Sequence, residues 1–161
     1  MILILLTLAH AALAAVALCA GATALLKIFT GRSFERSSAI FIKVALAASV
    51  IGLLFSAGVF RASYLTAMIT VYVAGVAVLA WKGFHLTRSW GLVFAISLVG
   101  VLCLNVLVVM QHLFGWLSIL KAADPGTVKA MLLIAESAVA LLFAAVCVFA
   151  VERYRRRPSC L

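Results

Sequence analysis

The chain has 161 residues, 68% of them hydrophobic and 11% charged, with a mean hydropathy of +1.31. Soluble domains run at about 45–50% apolar and about 25% charged, so this composition excludes most soluble enzyme folds. The net charge of +9 would suggest nucleic acid in a soluble protein. Here the bases sit between apolar runs and at the C-terminal end, where membrane topology and anionic lipid account for them and nucleic acid does not.

Five apolar runs follow in chain order, over residues 2–26, 39–60, 62–81, 90–114 and 128–151. Each has roughly the 20 residues that cross about 30 Å of hydrocarbon as a helix. Backbone polar groups in lipid must be paired within the segment, and the runs are too long for barrel strands. The reading is therefore all-α: a bundle of five transmembrane helices within residues 1–152 and a basic tail over 153–161.

The first run has no basic residue ahead of it and continues past Cys19, with the bulky Leu18 where a lipoprotein signal needs a small residue. It reads as a retained helix. Ala17 and Gly21, and farther on Ala48, Gly52 and Ser56, repeat at i, i+4, a spacing that lets helix backbones approach closely. Between the first two runs Glu35 lies among Arg32 and Arg36 as a local ion pair of small worth. Arg61 is the sole charge between the second and third runs, where a tight turn over 58–63 is expected. Residues 116–120 are apolar and suit the membrane interface. Asp124-Pro125-Gly126-Thr127 reads as a turn leading into the fifth helix. The tail bases Arg153, Arg155, Arg156 and Arg157 read as a lipid-headgroup anchor or a contact for a partner.

With five crossings, Lys27, Arg32, Arg36, Lys43, Lys82, Arg88 and the four tail arginines share one side, against Arg61, Lys121 and Lys129 on the other. Ten bases against three place the N-terminus outside and the C-terminus in the cytoplasm of a bacterial inner membrane. Gly31-x4-Arg36-Ser37 and Gly83-x4-Arg88-Ser89 form a weak internal echo of two helical hairpins, which a pair of short basic loops also produces without any repeat.

Ionisable groups inside a membrane are costly and point to function. Glu136 lies about 13 Å into the fifth helix from its outer end, His10 about 12 Å into the first, Tyr72 about 15 Å into the third and Asn105 about 13 Å into the fourth. His112 follows Asn105 by two turns and shares its face, with Gln111 beside it nearer the surface. His10, Tyr72, Asn105, His112 and Glu136 thus form a candidate polar cluster in the outer leaflet. One reading pairs Glu136 with His10 as a ligand or proton site; the other makes these side chains hydrogen-bonded links between helices. His10 and His112 are also the one membrane pair suited to axial ligation of a b-type haem, although their depths match only if the fourth helix runs on towards Leu120.

Other chemistry has no support. There is no Gly-rich phosphate loop, no H-E-x-x-H and no G-x-S-x-G. No spacing of His, Cys and acids suggests a metal site, and no catalytic residue is identified. Cys19, Cys103 and Cys147 lie in apolar runs and read as small hydrophobes; Cys160 is in the tail.

His10, Gly21, Lys27, Gly31, Arg36 and Phe41 occur in the order found in a family of small bacterial inner-membrane proteins of unassigned function, which residues 5–82 resemble. Glu35 stands where that family has a histidine, and Tyr72 and Trp81-Lys82 are similar to its Tyr-containing helix. The resemblance implies a multi-pass inner-membrane protein and no particular chemistry. The leading expectation is a non-catalytic membrane subunit or accessory protein, in contact with lipid and with other membrane subunits or a second copy. The rivals are a haem-bearing electron carrier using His10 and His112, and a small proton-linked carrier using Glu136.

Overall fold

The computed structural model describes residues 2–30, 33, 35–55, 62–116 and 124–155. Apolar side chains throughout a segment leave the backbone no partner but itself, so each run winds into a helix. The elements are α1 (Ile2–Thr30), α2 (Glu35–Phe55), α3 (Ala62–Val78), α4 (Arg88–Trp116) and α5 (Pro125–Arg155). Among the described residues five helices are long and apolar enough to cross a membrane, and no strand occurs.

The helices outrun the apolar runs at both ends of the bundle. α1 continues through Lys27 to Thr30, whose hydroxyl donates to the Leu26 carbonyl at 2.9 Å. α2 begins at Glu35 instead of 39, because polar side chains at a helix end reach water without breaking the backbone ladder. α5 begins at Pro125 instead of 128. Asp124 caps it, accepting from the Gly126 and Thr127 amides at 3.0 and 3.2 Å, and Pro125 fills the first helical position, where a missing N–H costs nothing. At its far end α5 includes Arg153 and Arg155, so these two arginines stand on a helix and not in a tail. Residues 56–61, which hold most of the expected turn after α2, lie outside the described residues, as do Arg156, Arg157 and residues 117–123.

α3 ends in a π-helical turn over Leu79–Gly83, closed by the Phe84 amide donating to Leu79 O at 3.2 Å. His85 and Leu86 then take left-handed conformations at φ 48° and 52° and reverse the chain. Phe84 stacks on Trp90 at the start of α4, with centroids 3.7 Å apart and planes 1° from parallel, which clamps the turn.

α1 to α4 form an antiparallel ring in which each helix packs on the next and α4 returns to α1. α5 lies outside the ring against α4 and α1. Ile28, Phe41, Ile42, Phe94, Leu98 and Val101 fill the half nearer the basic end, among the fully buried Ala17, Ala24, Ala45, Ala74, Ala77 and Ala80. Lipid tails are as apolar as leucine, so these helices gain little from burial as such; close packing across alanines holds them. Gly21 shows how close the approach is. A Cβ there would stand 2.7 Å from Leu102 Cδ1 and 2.9 Å from Phe41 Cε2.

Two hydrogen bonds tie the basic end together. Lys27 Nζ donates to Ser37 Oγ at 2.6 Å, joining α1 to α2, and Arg153 Nε donates to the Phe29 carbonyl at 3.1 Å, joining α5 to α1. The far end of the bundle holds His10, Gln111, His112 and Glu136.

Candidate functional site

The α1–α4 contact brings His10 and His112 face to face. α1 and α4 run antiparallel as neighbours, so a residue early in α1 meets one late in α4. The ring centroids are 6.2 Å apart, with planes tilted by 41°. His10 is partly buried, and the backbones of Ala48 and Gly52 on α2 close over its other side. A Cβ on Gly52 would stand 3.4 Å from His10 Cε1, so the small residue makes room for the ring. His10 Nδ1 is enclosed with no hydrogen-bond partner among the described residues. His112 is exposed, and its Nδ1 lies 2.9 Å from the Val108 carbonyl. A carbonyl only accepts, so Nδ1 is the donor in this contact.

The expected pairing required α4 to run on past Phe114 towards Leu120; α4 is helical to Trp116, residues 117–123 lie outside the described residues, and the two rings meet.

Glu136 takes a different partner from the one expected. It is partly buried on α5 and accepts a hydrogen bond from Gln111 Nε2 at 2.8 Å. Gln111 and His112 are consecutive on α4, hence turned about 100° from each other. One addresses α5 and the other α1, so α4 carries two polar links side by side. Gln111 was missed as a member of the cluster, although its place next to His112 is visible in the sequence.

Asn105 is buried, at 8% exposure, but its Nδ2 donates to Val101 O on its own helix at 2.8 Å. It satisfies itself by bonding back one turn. Tyr72 stands apart altogether. It is 74% exposed on α3, turned away from the ring interior, and its hydroxyl has no hydrogen-bond partner among the described residues. The structure thus brings together His10 with His112 and Glu136 with Gln111, and leaves Asn105 and Tyr72 outside both pairs.

Among the described residues no three His, Cys, Asp or Glu gather as metal ligands, and the thiols of Cys19, Cys103 and Cys147 are free. At the basic end, Phe29, Val146, Phe149, Glu152 and Arg153 line an open groove between α1 and α5. The chain matches no family model, no curated protein and no solved structure.

Proposed function

We propose that the chain is a non-catalytic membrane-embedded subunit or accessory protein that receives a partner helix on the outer face of α3. The observation that carries this reading is Tyr72, a phenol in the middle of α3 that is 74% exposed. In hydrocarbon an unpaired hydroxyl costs free energy, and lipid tails offer it nothing. Leu65, Met68, Ile69 and Leu79 are exposed at helical spacing on the same face. Gly75, one turn from Tyr72, has open space where its Cβ would be. A glycine notch beside a polar side chain suits an approaching helix, which fills the first and hydrogen-bonds the second.

The membrane is a bacterial inner membrane, with the N-terminus outside and the C-terminus in the cytoplasm. The ten bases at one end support this, as do the Lys27–Ser37 and Arg153–Phe29 bonds, which hold three helix termini at that end. The groove over Phe29, Val146 and Phe149, with Arg153 at its rim, suits an acyl chain beneath an anionic headgroup.

The test is gentle-detergent purification from native membranes, followed by mass determination of the intact particle. A complex larger than one chain that falls apart in Tyr72→Phe and Gly75→Leu upholds the proposal. A monomer in wild type and variants alike refutes it.

A further inference from the structure

The groove between the C-terminal turns of α1 and α5 has a volume of about 580 Å³, within the ≈ 300–1,000 Å³ range of ligand pockets. Phe29, Val146 and Phe149 form its apolar wall, and Glu152 and Arg153 form its polar rim. On α5 the spacing 146, 149, 153 makes one helical stripe, and Glu152 stands three residues after Phe149. Both charged side chains therefore top the same apolar face. In a membrane an apolar wall accepts any acyl chain, so selection rests with the rim.

Arg153 is held in place. Its Nε donates to the Phe29 carbonyl at 3.1 Å, in the last turn of α1. A guanidinium has five N–H donors, so the bond to the carbonyl leaves its outer nitrogens for a pair of phosphate oxygens. Every glycerophospholipid carries that phosphate. Glu152 adds a second demand. It is exposed and has no hydrogen-bond or ion-pair partner among the described residues. Its carboxylate only accepts, and it repels a headgroup of net negative charge. The C-terminal turns of α1 and α5 meet at this rim, and the partial negative charge of helix C-termini also draws a cation. A primary ammonium meets the demand with three N–H donors, whereas a quaternary choline has none.

We propose that this groove binds one phosphatidylethanolamine molecule, with its phosphate on Arg153, its ammonium on Glu152 and an acyl chain along Phe29, Val146 and Phe149. The site rests on the membrane setting proposed above for this end of the bundle, and is independent of the α3 face.

The full chain, purified in mild detergent and stripped of lipid, is titrated with phosphatidylethanolamine, phosphatidylcholine and phosphatidylglycerol of identical acyl chains. Bound lipid is counted by mass spectrometry of the intact particle. The expected result is one phosphatidylethanolamine retained with a preference of roughly fivefold over either rival, the upper end for an exposed ion pair. Glu152→Gln should erase the preference, and Glu152→Lys should reverse it in favour of phosphatidylglycerol. Arg153→Ala should weaken the binding of all three lipids. Tyr72→Phe, on the outer face of α3, should bind as wild type does. Helical circular dichroism checks that each variant is folded, and the exposed Glu152 tolerates both substitutions without repacking. Equal retention of the three lipids, or a preference that survives Glu152→Gln, overturns the site and leaves the membrane setting standing. Retention of no lipid overturns both.

Discussion

Gly21→Ala adds one methyl group to the tightest helix contact in the bundle. Its Cβ would arrive 2.7 Å from Leu102 Cδ1, 2.9 Å from Phe41 Cε2 and 3.0 Å from Phe41 Cδ2. Carbon atoms prefer about 3.5–4.0 Å, so the neighbours must retreat by up to roughly 1 Å. They have little freedom to do so, since Phe41 is fully buried and Leu102 nearly so. Overpacking of this kind costs about 1–3 kcal/mol. It outweighs the gain of about 1 kcal/mol that alanine brings over glycine in a helix interior. The net expectation is a loss of up to about 2 kcal/mol, or as much as roughly 30-fold in the folded-to-unfolded ratio. Gly75→Ala is the internal control, because nothing lies within 4 Å of its Cβ position. It should be neutral or stabilising. The assay is reversible unfolding of the purified chain in mixed micelles, followed by helical circular dichroism. Phe41→Leu in the Gly21→Ala background should recover part of the loss by vacating ring volume. A Gly21→Ala protein as stable as Gly75→Ala would refute the packing argument.

Glu136→Gln should leave bundle stability nearly unchanged, since an amide oxygen still accepts from Gln111, whereas Glu136→Leu should cost about 0.6–1.7 kcal/mol, the range of interhelical hydrogen bonds in a membrane; the same unfolding assay separates them. Asn105→Leu should cost less than about 1 kcal/mol, because the bond lost is local to its helix. His85→Gly should raise stability by roughly 0.5–1 kcal/mol by relieving a left-handed residue at φ 48°; a fall in Tm would count against the strain argument. Arg153→Ala should loosen the C-terminal turn of α5 from α1, seen as faster amide exchange over residues 146–155 with the rest of the bundle unchanged.

The spans were legible because runs of about twenty apolar residues have one stable form in lipid. Their ends were less so. The apolar count stops at residue 26 in the first run and starts at 39 in the second, while the helices reach Thr30 and begin at Glu35, because interfacial water tolerates Lys27, Arg36 and Ser37 on helical backbone. Heights were partly legible: His10 and His112 were singled out as a pair, although counting from run ends set them at different levels. What the sequence does not carry is the direction each side chain points. A helix that is apolar all round has no marked inner face. Tyr72 and Asn105 were therefore grouped with His10 on depth alone, yet one faces outward and the other bonds its own helix. Glu136 was matched to His10 for the same reason, when α5 lies outside the ring and reaches Gln111 first.

The most direct test of the proposed role is a photo-crosslinking amino acid at position 72, with irradiation in native membranes. A discrete protein adduct, absent when the crosslinker replaces the buried Ala74 on the opposite side of α3, is the expected result. Adducts to lipid alone at position 72 would contradict the account, since Tyr72 would then face the bilayer with no partner helix.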